Sequence, residues 1–445
     1  MSRLYSVNPL DQSVVGDVAV TTQEQLTEIV ERAKIGQQAW AKCALSERAQ
    51  QLSDAYKKLL PHQAQLATLI SQEMGKDFRR ASYEAHGVVQ SAAYMIEEAV
   101  DAFQPERLAA RSELQYRALG VVGVISPWNY PLAMANNLLI PALVAGNSVI
   151  LKPSEHTPLV ADLFIQTLQS QLPDGVLQIV HGDGQVGQAL VQSDIQMIAF
   201  TGSVAAGRNI MANAAPQLKR LVMELGGNDP MIVLASADIK AAARFAVASS
   251  FENAGQMCTS TERVYVDQSI ADAFYQQVMA DARNYQTGGW DEPGVNIGPL
   301  ASADQHQRVV NQLQDAEQKG ARFLMGQADY PLPFVEPTVV AGMTPDMQLE
   351  QTETFGPVVA MAEFEHVEEA IERANDSIYG LGAVVFGGQD AAAVAEQLEA
   401  GMVSVNQGVG GPGDSPWVGA KQSGFGFHGS KAGHRQFSQV RVINF

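Results

Sequence analysis

The fold is decided by residues 121–152, VVGVISPWNYPLAMANNLLIPALVAGNSVILK. The stretch opens on a short β-rich run closed by Pro127 and ends on a second such run, with a helix-like apolar segment between them. From Pro131 to Leu151 it is apolar enough, and about long enough, to pass for a membrane span. Asn136, Asn137, Pro141, Gly146 and Asn147 oppose that reading, because lipid offers no partner to amides or to a broken helix. A buried helix followed by a buried strand is the expectation.

The same texture continues outward. VLQIVHG, MIAFTGS and LVMELGG are further short β-rich runs, and helix-like segments lie between them. Strands alternating with helices predict a parallel sheet with crossover connections, here a doubly wound, Rossmann-like domain. Upstream, residues from about Thr22 to Phe103 read as helices, with apolar residues at three- and four-residue spacing and a helix start expected near Ser46. After Gly226 a second strand–helix alternation runs through PMIVLA, AAARFAVASSFENAG, RVYVD, PVVAMAEF, GAVVFG and MVSVN, which predicts a second α/β domain. The expected division is 1–100 with 119–226 for the first domain and 227–420 for the second. SELQYRALG and the C-terminal RQFSQVRVINF fit neither, and the latter reads as a terminal strand.

Bulk properties narrow the class. A chain of 445 residues exceeds one ordinary core, so two or three domains are expected. The apolar share of 46% and charged share of 17% are those of a soluble globular protein. A net charge of -19 repels nucleic acid and anionic lipid, so neither nucleic acid nor membrane is an expected partner. Two cysteines, Cys43 and Cys258, cannot make a disulfide framework and suit a reducing, cytoplasmic setting. The start, MSRLYSVNPLDQS, has no apolar secretory core.

Four places carry chemistry. Cys258 follows a helical stretch in a Gly-containing turn, FENAGQMCTS, where backbone N–H groups can lower a thiol pKa. Cys43 reads as packing on an amphipathic helix. Glu224 ends an apolar strand that runs into two glycines. It is either a strand-end charge reaching solvent or a general base raised by an apolar wall. Asn129 lies in the rigid loop between Pro127 and Pro131, where its amide can donate to an oxyanion; Lys152 and Glu155 follow a buried strand. In FTGSVAAG a strand ends at Gly202 and Gly207 lies on the next helix, whose start can hold a pyrophosphate, although the G-x-G-x-x-G fingerprint is absent. The eight histidines show no ligand-like clustering, so no metal is expected.

Taken in order, PWNYP, KPSEHTP, FTGSVAAG, MELGGNDP, ENAGQMC, ETFGPV, YGLGAVVF and SGFG make the chain resemble the aldehyde dehydrogenase superfamily from about Val7 to Phe445. The resemblance implies that Cys258 is the nucleophile and Glu224 the base for the deacylating water. Asn129 and the Cys258 backbone N–H would then form the oxyanion hole. It implies an NAD(P)-binding first domain, with Lys152 and Glu155 on the adenosine ribose and Gly202, Ser203 and Gly207 at the pyrophosphate turn. Ile125, Trp128 and Leu225 would line the cofactor path, Glu353 would grip the nicotinamide ribose, and Phe355 would lie beside the ring. The two unplaced segments, 101–118 and 430–445, match the family's oligomerisation arm, which implies a homodimer or homotetramer. Glu155 would repel a 2′-phosphate, so NAD is favoured and NADP remains possible. A general aldehyde ranks first as substrate and succinate semialdehyde second. CoA-acylating and non-catalytic relatives are weighed against Glu224 and the intact Cys258. Asn228 stands where the family often has Lys. The Gly-rich GGPGDSPWVGAKQSGFG is expected to shape the pocket rim.

Overall fold

The computed structural model describes residues 2–411 and 414–445; Pro412 and Gly413, within the expected rim, lie outside them. The chain begins with a hairpin of β1 (Arg3–Val7) and β2 (Val14–Ala19). Four helices follow: α1 (Gln23–Trp40), α2 (Leu45–Lys57), α3 (Gln63–Met74) and α4 (Phe78–Ala102). Thr22 and Gln25 cap α1 reciprocally, so two first-turn N–H groups are answered locally. Ser46 is not a cap. It falls inside α2, which starts one residue earlier behind an Ala44 that makes no side-chain cap bond. The turn is instead held from its far side, where buried Arg48 donates to the carbonyls of Cys43 and Val144. Cys43 itself sits in the link between α1 and α2 rather than on a helix, half-buried against the first core.

Next come β3 (Glu106–Ala109) and β4 (Ser112–Ala118), and then the expected alternation. It consists of β5 (Val121–Ile125), α5 (Pro131–Val144), β6 (Ser148–Lys152), α6 (Pro158–Gln169), β7 (Leu177–Ile179), α7 (Gly184–Gln192), β8 (Met197–Gly202), α8 (Val204–Ala214) and β9 (Arg220–Leu225). The strands from β5 to β9 are parallel, in the order β9-β8-β5-β6-β7. The chain leaves β5 on one side for β6 and β7, then crosses to β8. That switch point opens a crevice above the carboxyl ends of β5 and β8, where such sheets bind ligands. The apolar α5 is buried on nearly every side, which is why its sequence mimics a membrane span. No helix among the described residues is long and apolar enough to cross a membrane.

Three residues carry β9 into β10 (Asp229–Val233) and the second sheet. This half adds α9 (Ile239–Ser250), β11 (Thr261–Asp267), α10 (Ala271–Ala282), α11 (Ala303–Gln318), β12 (Arg322–Met325), β13 (Thr338–Ala341) and α12 (Gln348–Gln351). It ends with β14 (Val358–Phe364), α13 (Val367–Asn375), β15 (Gly382–Phe386), α14 (Ala391–Ala395) and β16 (Met402–Val405). The order is β12-β13-β14-β11-β10-β15-β16, parallel except for β12.

The chain then returns to the first sheet. β17 (Trp417–Val418) pairs with β19 (Phe427–His428), while β18 (Gly424–Phe425) adds antiparallel to β9. After α15 (Ser430–Arg435), β20 (Ser438–Asn444) pairs with β4 over seven residues, making a separate antiparallel sheet β20-β4-β3.

Candidate active site

A cavity of about 450 Å³ opens where the two parallel sheets meet. Of the residues singled out from sequence, Trp128, Asn129, Gly202, Ser203, Glu224, Leu225, Cys258, Glu353 and Phe355 line it together. Ile125 ends β5, opposite Lys152 at the end of β6, and Gly207 lies on α8 against Leu225. These three and Glu155 lie outside that wall, further along the carboxyl edge of the first sheet.

The turn that leads into Cys258 is tightly stitched. After α9, Asn253, Ala254 and Gly255 all have positive φ (52°, 56° and 75°), a costly run for the first two residues. Only glycine fits at 255, since a Cβ there would sit 2.0 Å from the Gly356 carbonyl oxygen. The cost is met by buried amides: Asn253 Nδ2 donates to the carbonyls of Asn129 (3.2 Å) and Gln256 (3.1 Å). The Gln256 side chain donates to the Asn253 carbonyl and accepts from the Ala301 N–H. Asn129 Nδ2 donates to the Gln256 carbonyl at 3.1 Å, which fixes the amide and leaves its second N–H for another acceptor.

Glu224 does not reach solvent. It is 3% exposed, among the described residues neither oxygen receives a well-formed hydrogen bond, and burial pushes its carboxyl up. The Cys258 thiol, the Trp417 indole and the Thr201 hydroxyl offset this only in part. The expectation of a lowered thiol is corrected: burial first, then Glu224, Asp229 and Glu353, push Cys258 well above its ordinary value. Burial, with the carboxylates behind it, outweighs whatever the turn's N–H groups supply.

Glu353 is pushed up by burial to about 7, and its Oε1 accepts from the Gly227 N–H at 3.0 Å. A Cβ at Gly226 would lie 2.5 Å from the same carboxylate, so a larger residue there would displace it. Glu262 holds the segment from behind, accepting the N–H groups of Thr354 and Phe355 at 2.7 Å each. Phe355, at φ 54°, packs edge-on to Trp128 with centroids 5.5 Å apart. Trp128 in turn meets His156 beyond it, linking the cavity to the Lys152–Glu155 end. There Lys152 Nζ lies 3.3 Å from Glu155, and burial lowers the lysine while its charge holds Glu155 down against burial.

Sequence reasoning missed several lining residues. Tyr130, Glu252 and Met257 stand inside motifs that were quoted for other residues, so the signal was present. Trp417 comes from the expected rim. Gln305 and Arg308 sit on an ordinary amphipathic helix, α11, and carried no signal. Arg263, the basic residue after the nucleophile, is fully buried. It donates to the carbonyls of Asn228, Arg373 and Ala374 and to the Tyr265 hydroxyl, which makes it structural. Asn228 donates to the Glu350 carbonyl. Among the described residues no group of three or more His, Cys, Asp or Glu is placed to hold a metal.

The sequence model described as "Aldehyde dehydrogenase family" matches residues 2–443. The mitochondrial succinate-semialdehyde dehydrogenase of Arabidopsis thaliana is 35% identical over 98% of this chain and 85% of its own. A probable NADP(+) succinate-semialdehyde dehydrogenase of Sinorhizobium fredii is 34% identical over 99% and 92%. The crystal structure of lactaldehyde dehydrogenase from Escherichia coli is similar with a TM-score of 0.96 at 31% identity, covering 100% of this chain and 96% of that one. These likenesses bear out the α/β, Rossmann-like reading of the fold.

Proposed function

Because this chain belongs to the aldehyde dehydrogenase family, we propose that it oxidises an aldehyde to the carboxylic acid, with NAD(P)+ as hydride acceptor, through a thioester on Cys258. One observation carries the reading: Cys258, Glu224 and Asn129 face one cavity together with Glu353 and Phe355.

The residues fit a dinucleotide. The first turn of α8 offers backbone N–H groups at the switch-point crevice, with Ser203 as its cap. Space is left beside Lys152, where a Cβ on Gly187 would meet only the lysine Cδ, at 4.0 Å. Lys152 and Glu155 would hold the adenosine ribose, Gly202, Ser203 and Gly207 would flank the pyrophosphate, and Ile125, Trp128 and Leu225 would line the path. Glu353 would take the second ribose. Glu155 favours NAD, because its carboxylate opposes a 2′-phosphate; NADP is the second choice.

The chain's own groups then divide the work. Glu224, raised by burial, accepts the thiol proton, and the thiolate attacks the carbonyl carbon. The free N–H of Asn129 and the Cys258 backbone N–H stabilise the oxyanion of the thiohemiacetal. A bound nicotinamide supplies the acceptor for the hydride that leaves that carbon, and a thioester remains on Cys258. Glu224 passes that proton to solvent and, ionised again, takes one from water; hydroxide adds to the thioester, and the thiolate departs with the acid released. A hydrolytic base argues against transfer to CoA, and the intact Cys258, Glu224 and Asn129 argue against a non-catalytic role. Incubation with butanal and NAD should produce NADH, and Cys258→Ala should abolish it. Wild-type-like NADH formation by that variant dismisses the assignment.

We assign NAD(P) binding to residues 1–100 and 119–226 and catalysis to 227–420. The sheet β20-β4-β3 would be an oligomerisation arm for a homodimer or homotetramer, supported by exposed Leu108, Val440, Val442 and Phe445. Light scattering of the purified protein tests this, with a monomer at micromolar concentration as the contrary result. A cytoplasmic setting is the matching compartment for two free thiols. Succinate semialdehyde stands as a second substrate reading, favoured by the names of the relatives above.

A further inference from the structure

The cavity wall beyond Cys258 carries its own charge pattern. Tyr130, Glu252 and Met257 form one group: the Tyr130 hydroxyl donates to Glu252 Oε1 at 3.2 Å and lies 4.0 Å from the Met257 sulfur. All three line the cavity, as Cys258 does. Glu252 is one third exposed, so part of its carboxylate faces the open space.

The cations nearby do not neutralise it. Lys76 is fully buried and paired with Glu84 at 2.6 Å, with its Nζ over the Tyr130 ring. Arg80 donates to Glu252 Oε2 at 2.8 Å but also to Asp77 at 2.9 Å and to the Asn296 carbonyl. Two cations thus face three carboxylates, Asp77, Glu84 and Glu252, and of the three only Glu252 lines the cavity. Neither Lys76 nor Arg80 lines it. Arg308, which does, bears on Glu353. Arg263 is spent on backbone carbonyls.

Resting on the aldehyde dehydrogenase reading above, we infer that Glu252 determines substrate charge: this site takes aldehydes whose far end carries an ammonium group and rejects those ending in a carboxylate. A substrate carboxylate held at Cys258 would meet Glu252, while the lining cation, Arg308, acts on Glu353, and like charges in a partly enclosed site repel strongly. An ammonium meets a carboxylate with lone pairs to spare, beside an aromatic hydroxyl and a thioether.

The test compares kcat/KM for 3-aminopropanal, its near-isostere butanal, and succinate semialdehyde. The wild-type enzyme should rank them in that order, and raising the salt should shrink the gap between the first two. Glu252→Gln should lower the 3-aminopropanal to butanal ratio by roughly five- to tenfold, the worth of one partly buried ion pair. A wild-type preference for succinate semialdehyde over butanal overturns the inference, and needs no variant. An unchanged ratio in a folded Glu252→Gln protein does so as well. If butanal is oxidised without charge discrimination, only this inference fails. If no aldehyde is oxidised, the underlying reading fails instead.

Discussion

Two acidic clusters line or back the same cavity, and they are built in opposite ways. In the first, around Lys76 and Arg80, every carboxylate oxygen is answered. Glu84 takes Lys76 on one oxygen and the N–H groups of Leu132 and Ala133, at the start of α5, on the other. Asp77 takes the backbone and guanidinium of Arg80. In the second, around Cys258, no well-formed hydrogen bond among the described residues reaches the side-chain oxygens of Glu224 and Asp229 or joins the Thr201 and Thr259 hydroxyls and the Trp417 indole; the Cys258 thiol, Trp417 and Thr201 only lean on Glu224. Buried polar groups without partners cost stability. Apart from Glu252, whose outer side reaches the cavity, the first cluster is scaffold, while the second keeps its bonds unmade for a substrate, a water and a moving proton.

The largest expected effect breaks the second cluster at its base. Glu224→Gln should cut steady-state turnover by about a thousandfold or more, since Glu353, the other buried carboxylate on the cavity, accepts the Gly227 N–H and is assigned to the cofactor ribose. NADH formation in the first turnover should slow as well, because the same carboxylate takes the thiol proton; a full-rate burst of one per site in stopped-flow traces would confine Glu224 to the water step. Wild-type turnover in this variant would end the distinction between the clusters. Asn129→Ala should follow, with kcat down about 10²- to 10³-fold, the usual cost of losing one oxyanion donor. A change confined to KM would return Asn129 to loop decoration.

The first cluster should respond in stability. Lys76→Met leaves Glu84 buried without its counter-charge, a loss of about 3–5 kcal/mol, softened by the N-terminal dipole of α5. Urea unfolding of the variant and the wild type measures it. An unchanged midpoint would mean that the dipole alone suffices.

How much of this could be read beforehand follows from range. The β5–α5–β6 unit was legible because periodicity and turn residues act locally, and Cys258, Glu224 and Asn129 because each stands in a distinctive motif. Ser46 misled because the start of α2 is set by Arg48 reaching Val144 from across the fold. The thiol misled for a related reason. Its neighbours in sequence are neutral, whereas the fold buries it and brings Glu224, Asp229 and Glu353 to it from two sheets and a distant loop. The pairing of β18 with β9, which brings the C-terminal segment back to the first sheet, likewise has no local signature.

The smallest effect extends the open cluster outward. Behind Trp417 the His428 ring lies nearly parallel to the indole, with centroids 6.5 Å apart, and His434 is buried on α15 with neither ring nitrogen partnered. Burial lowers both imidazoles to about 4, well below their ordinary value. A base whose folded-state pKa is depressed contributes stability that is present above its unfolded value, near 6.5, and is lost as pH falls through 4. Each histidine should therefore cost about 2 kcal/mol by pH 5 relative to neutral pH. His434→Leu should flatten the fall of Tm between pH 6.5 and 4 while shifting Tm little at pH 7.5. Parallel Tm profiles for the two proteins would mean that His434 meets water or a donor on its buried side. The contrast between answered and unanswered polar groups would then stop at the cavity wall.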